Sequence, residues 1–181
     1  MKKIVLYSGN EEIKNAFEMQ CKAFDSKLIF IGDKEMNLEV HEVFELDKNG
    51  ENIHLLADTY ALFDDFTKDD FALFFEGFAY IDEVIKINHT INNSHWKLEK
   101  LFVETKKEHL LYAKIMQLQE LLDYCNQLDY SGISNEKTLE YKDQALHAFM
   151  LLYGKEINEE ELDESIRLLQ KQILKINNKL M

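Results

Sequence analysis

Two short apolar runs near the start of the chain constrain its fold more than any other feature. The first is Ile4 to Tyr7 and the second is Leu28 to Ile31, and neither alternates with polar residues. Strands of this kind are usually covered on both faces. Between them Ile13, Phe17 and Cys21 recur at helical spacing. The sequence therefore predicts a βαβ unit whose two strands are parallel.

A β-hairpin is predicted next, around the dipeptide Asn49-Gly50. This pair is favoured in two-residue turns that need positive φ at both positions. The flanking residues alternate in polarity, so Phe44 and Leu46 are expected on the core side of the hairpin. Its outer face would then carry His41, Glu45, His54 and Asp58.

The rest of the sequence predicts helices. A capping box at Thr67 and Asp70 begins a helix that extends to about Lys86. Further helices are predicted over about 94–128 and 135–153, and from Asn158 onward. The expected fold is an α/β N-terminal part (βαβ unit plus β-hairpin), residues 1–65, followed by an all-α C-terminal part of about four helices, residues 66–181. We expect the two parts to pack as one compact unit.

The loop after the first strand is a candidate ligand site. A dinucleotide loop needs several glycines, and here Gly9 stands alone. Ser8 and Glu11 have the spacing of a capping box, which would use the amides that a phosphate needs. No cofactor is therefore predicted. The crevice at the strand ends could still bind a small molecule through Ser8, Gly9, Asn10 and Asp33.

Two groups of histidines are candidate metal sites. His41 and His54, with Glu45 and Asp58, could ligate zinc on the outer face of the hairpin, although acid–histidine pairs are also common on a solvated sheet face. The spacing of His89 and His95 matches no zinc signature and favours a partly buried loop. No catalytic residue is predicted, since no G-x-S-x-G motif occurs.

Charge and cysteine content restrict the partners and the compartment. The chain has 34 acidic and 21 basic residues, a net charge of −13, which argues against nucleic acid. The charge fits a protein that either stays apart from polyanions or binds a basic protein partner. No apolar run reaches 18 residues, so no membrane span is expected. Cys21 and Cys125 lie in apolar helical patterns, which indicates buried thiols in the cytoplasm.

The last helix has the most regular pattern in the chain. Six aliphatic residues alternate steps of four and three, and we call this row the α6 seam. A narrow seam suits a single helical partner, so it predicts a partner surface and a homodimer, with packing inside the chain as the alternative. The α6 seam consists of Leu162, Ile166, Leu169, Ile173, Ile176 and Leu180.

Three classes of function fit these observations. The first is a non-enzymatic acidic interaction protein (adaptor, regulator or inhibitor) acting through its helical half. The second is a small α/β enzyme or a domain binding a nucleotide or small ligand at the strand ends. The opening strand, helix and strand also resemble receiver domains, but Tyr7 and Ser8 replace the acidic pair that binds Mg²⁺ there. That resemblance implies a degenerate receiver-like signalling module.

Overall fold

The computed structural model describes residues 1–47, 49–50, 53–154 and 157–178. The chain forms two compact units, Met1–Lys107 and Glu108–Met181. We call them the N-terminal unit and the C-terminal unit. The expected fold class is confirmed: an α/β part with a mixed sheet is followed by a helical part.

The N-terminal unit contains a four-stranded sheet in the order β2-β1-β3-β4. The predicted βαβ unit is confirmed, because β1 and β2 are parallel and joined by a helix. β3 and β4 form a second parallel pair, and β1 and β3 join the two pairs in antiparallel register. The elements are β1 Lys3–Tyr7, α1 Glu11–Ala23, β2 Lys27–Ile31, a 3₁₀ turn Asp33–Asn37, α2 Val40–Phe44, β3 Thr59–Asp64, α3 Lys68–Phe74, β4 Val84–Asn88 and the first turns of α4 Leu98–Asn126.

Both faces of the sheet are buried, as continuous apolar strands require. Side chains of successive residues point to opposite faces, so Leu6 and Phe63 pack with α1 and α3, whereas Val5 and Leu62 pack with α2 and the start of α4. The sheet therefore lies between two helical layers. The carboxyl ends of β1 and β2 lie at the same edge, where the predicted ligand residues begin.

The predicted hairpin is wrong. Residues Val40–Phe44 form α2 instead of a strand, and their buried members are Val40, Val43 and Phe44, at helical spacing. Asn49 and Gly50 do not make a hairpin turn. The side-chain oxygen of Asn49 accepts a hydrogen bond from the Phe30 amide, and the Gly50 amide donates to the Phe30 carbonyl, so both residues lie along the edge of β2.

The predicted helix from Thr67 to Lys86 is correct only in its first two turns. The capping box is confirmed, since the side chains of Thr67 and Asp70 each accept a hydrogen bond from the other's amide. The helix ends at Phe74, and Gly77 then adopts φ 70°, a left-handed conformation that favours glycine. Residues Val84–Asn88 form β4, so the range 66–181 is not purely helical.

The C-terminal unit consists of the remainder of α4, α5 Asn135–Leu152 and α6 Glu159–Asn177. Ser134 caps α5, and the predicted cap of α6 at Asn158 is confirmed by its hydrogen bonds to two amides of the first turn. Three acidic residues in that turn also favour the positive end of the helix dipole. The core residues of this unit are Leu118, Leu122, Cys125, Ala148, Leu151, Leu162, Ile166 and Leu169.

Of the helices that the structure describes, none combines the length and the apolar character needed to cross a membrane.

Candidate functional site

The residues predicted to bind a ligand lie at the strand ends, but the side chains of Ser8, Asn10 and Asp33 hydrogen-bond to the protein itself. Ser8 is buried and shares a 2.9 Å hydrogen bond with the hydroxyl of Thr59. Asn10 caps α1 by accepting from two amides of its first turn, so the predicted capping box of Ser8 and Glu11 is wrong. Glu11 instead pairs with Lys14 at 2.8 Å.

A chain segment covers the ends of β1 and β2. The amide of Asp33 donates to the carbonyl of Ile53, and the Asp33 carboxylate accepts from the Leu55 amide and from the Tyr7 hydroxyl at 2.7 Å. The Leu56 amide donates to the same hydroxyl at 3.0 Å. Burial and the Asp33 carboxylate raise the pKa of Tyr7 to about 12. Residues 53–56 are therefore hydrogen-bonded across the place where the crevice was predicted.

The four residues of the predicted zinc cluster are not brought together, because the hairpin that would align them does not form. Glu45 pairs with Lys3 at 3.0 Å, and Asp58 pairs with Lys106. His54 has a ring nitrogen 2.9 Å from the carbonyl of Ile31. Its ring packs edge-on against Tyr7, with 4.7 Å between centroids, and a Cβ built at Gly9 would lie 3.7 Å from the Cβ of His54.

His41 lies beside Glu39 and His95 instead. One ligating atom from each of these three side chains lies within 4.8 Å of the others. The spacing of His95 matches no zinc signature, so the sequence does not predict it as a ligand. The sequence does place a second histidine, His95, in the loop that follows β4. Its contact with His41, however, depends on a backbone bridge between two segments more than 50 residues apart.

His89 forms a polar relay at the end of β4. Its Nδ1 lies 2.7 Å from Asp64 Oδ1, and its Nε2 lies 3.1 Å from Ser94 Oγ. The ring stacks on Phe44 with 5.0 Å between centroids. This is the hydrogen-bond order of a Ser-His-Asp triad. The Ser94 amide, however, donates to the Thr90 carbonyl, which makes it unavailable to an oxyanion.

A cavity of about 270 Å³ lies next to this relay. His89 contributes to its wall, but Ser94 is not among its lining residues. A substrate in this cavity would contact the His89 imidazole before the Ser94 hydroxyl. The cavity is lined by Phe63, Asp65, Phe66, Thr67, Asn88, His89 and Thr90.

The α6 seam belongs to the core of the C-terminal unit. Leu162, Ile166, Leu169 and Ile176 are buried, and Ile173 packs against the same core. Leu180 lies outside the described residues. This corrects the interpretation of the seam as a partner surface, because α4 and α5 of the same chain already cover it. The regular spacing reflects packing against two helices of the unit.

Helix α5 exposes a row of large apolar side chains. Its buried side, which includes Tyr141, Ala148 and Leu151, packs in the core. Leu139, Leu146, Met150 and Tyr153 follow at steps of seven, four and three, which places them on one opposite face. We call the exposed row the α5 apolar face. Its members and exposed fractions are Leu139 63%, Leu146 56%, Phe149 49%, Met150 64% and Tyr153 71%.

The α5 apolar face is bordered by acidic side chains and by a groove. Glu136, Glu140 and Asp143 are exposed and follow each other at steps of four and three, so they form a parallel acidic row on α5. The groove is a cavity of about 550 Å³. It is lined by Leu122, Cys125, Asn126, Leu128, Tyr130, Lys142, Ala145, Leu146 and Phe149.

Comparison with protein-family models, curated proteins and solved structures finds no match for the chain. Two features stand out: the α5 apolar face with its groove, and the polar side chains around the loop that follows β4.

Proposed function

We propose that the protein is a non-enzymatic interaction protein, an adaptor, regulator or inhibitor, that binds an amphipathic helix of a basic partner along α5. The observation that carries this proposal is the α5 apolar face, five large side chains exposed by 49% to 71% on one side of a helix whose other side is already in the core. Contiguous exposed apolar surface of this kind marks interaction sites.

Covering the α5 apolar face with a partner would remove its five large side chains from water. Complete burial of a large apolar side chain contributes about 1.5 to 3 kcal/mol. The five side chains are about half exposed, so covering them would contribute roughly 5 kcal/mol before the costs of association, which are of similar size. Leu146 and Phe149 also line the groove, which could take an apolar anchor residue from the partner.

Charge complementarity specifies the kind of partner. The acidic row of Glu136, Glu140 and Asp143 runs beside the α5 apolar face, so lysines or arginines flanking the apolar stripe of a bound helix would lie opposite carboxylates. A second copy of this chain paired antiparallel along α5 would place acidic row against acidic row. The net charge of −13 adds to that repulsion. A basic amphipathic helix fits better than self-association.

The test uses a fluorescein-labelled peptide with leucines at helical i, i+3, i+4 spacing and lysines elsewhere, titrated with the full chain and followed by anisotropy. The variant Leu146→Glu, Met150→Glu removes two members of the α5 apolar face. The matched control is Met19→Glu, Leu174→Glu, which makes the same charge change at two exposed apolar positions of α1 and α6.

We expect the α5 variant to bind the peptide about tenfold more weakly or worse, and the control to bind like the wild type. If charge alone governed binding, the α5 variant would bind the peptide more tightly than the wild type, because each added glutamate attracts a cationic peptide. Peptide binding that is absent in the wild type, or unchanged or tighter in the α5 variant, refutes the proposal. Neutralising Glu136, Glu140 and Asp143 together should weaken binding and reduce its salt dependence.

A second candidate function, acyl transfer at Ser94, is favoured by one observation, the relay from Asp64 through His89 to the Ser94 hydroxyl. In such a relay the imidazole takes the serine proton as the hydroxyl attacks a carbonyl. A fluorophosphonate reagent should then label the wild type and a control Ser131→Ala, but not Ser94→Ala or His89→Ala. If the wild type is not labelled, the relay serves only to hold the loop after β4 in place.

A further inference from the structure

We infer that Glu39, His41 and His95 form a binding site for a divalent transition-metal ion, with zinc as the best match. The inference is independent of the proposed function, because all three residues belong to the N-terminal unit and the α5 apolar face belongs to the C-terminal unit. The site also differs from the cluster predicted from the sequence, of which only His41 remains.

Backbone pairing brings the three residues together. The segment that leads into α2 lies antiparallel to the loop before α4, with a bridge between Glu39 and Lys97. The Val40 amide donates to the Trp96 carbonyl, and the His41 amide donates to the Ser94 carbonyl, each at 3.0 Å. Glu39 is the extended residue before α2 and His41 lies in the first turn of that helix, and one ligating atom of each lies within 4.8 Å of that of His95.

The distances fit a site that can close on an ion. Oε2 of Glu39 lies 2.9 Å from Nδ1 of His95 and 3.4 Å from Nδ1 of His41. The two imidazole rings are 5.0 Å apart. Ligand atoms around a tetrahedral zinc, at about 2.0 to 2.1 Å from the ion, lie about 3.4 Å from one another. Small side-chain rotations within the observed 4.8 Å cluster would bring one ligating atom from each of the three side chains to that separation.

The chemistry of the ligands selects the ion. Two imidazoles and one carboxylate suit zinc and its transition-metal neighbours, whereas Mg²⁺ and Ca²⁺ prefer oxygen ligands alone. Three protein ligands also leave a position open for water or another ligand, as in zinc sites that remain reactive. The side chain of His95 is 78% exposed, so this open position faces solvent and the ion has a path of entry.

A neighbouring carbonyl can fix the protonation of one ligand. Nδ1 of His41 lies 3.2 Å from the Ser94 carbonyl as well as 3.4 Å from Glu39 Oε2. If the ion binds Nε2 instead of Nδ1, a hydrogen bond donated by Nδ1 to that carbonyl leaves Nε2 unprotonated. The hydroxyl of the same Ser94 contacts His89. Metal-binding histidines are commonly oriented in this way by a carbonyl or carboxylate partner.

Other residues compete poorly for zinc. Cys21 and Cys125 are both buried, and burial raises the pKa of the Cys21 thiol to about 11, so neither cysteine presents the thiolate that zinc prefers. Among the described residues, the remaining competitors are exposed histidines such as His109 and His147, which lie outside the cluster, and surface carboxylates. Surface carboxylates bind divalent ions weakly and without selectivity. An excess of Mg²⁺ saturates such carboxylates and leaves imidazole ligands free.

The experiment is a calorimetric titration of the full, tag-free, metal-stripped chain with Zn²⁺ in excess Mg²⁺, repeated with Co²⁺ to record its visible absorption. The variants are His95→Ala, His41→Ala and Glu39→Gln. The matched control is His147→Ala, which removes an exposed histidine of α5. Since His95 is exposed, its substitution should leave the fold intact, and far-UV circular dichroism of each variant checks this.

We expect one zinc ion per chain and a Co²⁺ spectrum typical of a nitrogen- and oxygen-liganded site. Each of the three substitutions should weaken zinc binding by about tenfold or more, because losing even a group that only orients a ligand has an effect of that size. The control should bind like the wild type. The inference fails if Mg²⁺ abolishes zinc binding, or if folded His95→Ala binds zinc as tightly as the control.

Discussion

Removing a single hydroxyl, by Tyr7→Phe, tests whether the segment 53–56 is fastened over the strand ends by Tyr7. The Tyr7 hydroxyl donates to the Asp33 carboxylate at 2.7 Å and accepts from the Leu56 amide at 3.0 Å. The substitution keeps the ring, and with it the edge-on contacts with His54 and Phe102. Only the two hydrogen bonds are lost.

The expected loss of unfolding free energy follows from these two bonds. A hydrogen bond to a charged acceptor contributes about 1.5 to 3 kcal/mol. Asp33 retains the amide of Leu55 as a donor, and Leu56 is 42% exposed, so water can replace the lost acceptor there. We therefore expect the lower end of the range, about 1.5 to 2 kcal/mol.

The assay is urea unfolding followed by the fluorescence of Trp96, the single tryptophan, which packs partly buried against the core of the N-terminal unit and so reports on that unit. A double-mutant cycle with Asp33→Asn isolates the coupling between the two side chains. Unchanged stability in Tyr7→Phe, or a coupling below about 0.5 kcal/mol, would show that the hydrogen bond does not secure the segment.

Two further predictions concern the other packing features. Ile166→Glu places a charge in the core of the C-terminal unit, so it should abolish the helical circular dichroism of that unit while Trp96 emission is retained. If the substitution instead converts a dimer into a folded monomer, the α6 seam is an intermolecular contact. Lys2 and then Thr67 hold the pKa of Asp70 at about 2, below its ordinary 3.8. Its stabilising contribution is therefore complete above about pH 4 and lost toward pH 2, so the urea midpoints of wild type and Asp70→Asn should converge over that interval.

Local signals predicted some elements correctly because those elements depend on local physics. The strands β1 and β2 are continuous apolar runs covered on both faces, and α6 begins at a capping asparagine. The hairpin failed because Asn49-Gly50 and an alternating run suggested strands, while the buried residues Val40, Val43 and Phe44 have helical spacing. In a short segment both periods fit, and tertiary contacts decide between them.

The candidate sites were harder to predict than the elements. Exposure of the α5 apolar face depends on which side of α5 enters the core, and both sides of that helix carry apolar residues. The Glu39, His41 and His95 cluster depends on a backbone bridge between distant segments. The α6 seam was misassigned because a regular four-three row is equally compatible with a partner in the same chain.

The order of the strands has a consequence for how the N-terminal unit assembles. Paired residues are 24 positions apart across β1 and β2, as in Lys3 with Lys27, and 25 apart across β3 and β4, as in Thr59 with Val84. Across β1 and β3 the separation reaches 61 positions, for Lys3 with Asp64. Loop-closure entropy grows with this separation, so each strand–helix–strand half can form before the other is available. During synthesis, the first half could be complete while the residues of the second are still being added, and the antiparallel β1–β3 ladder would then be the late step that joins them.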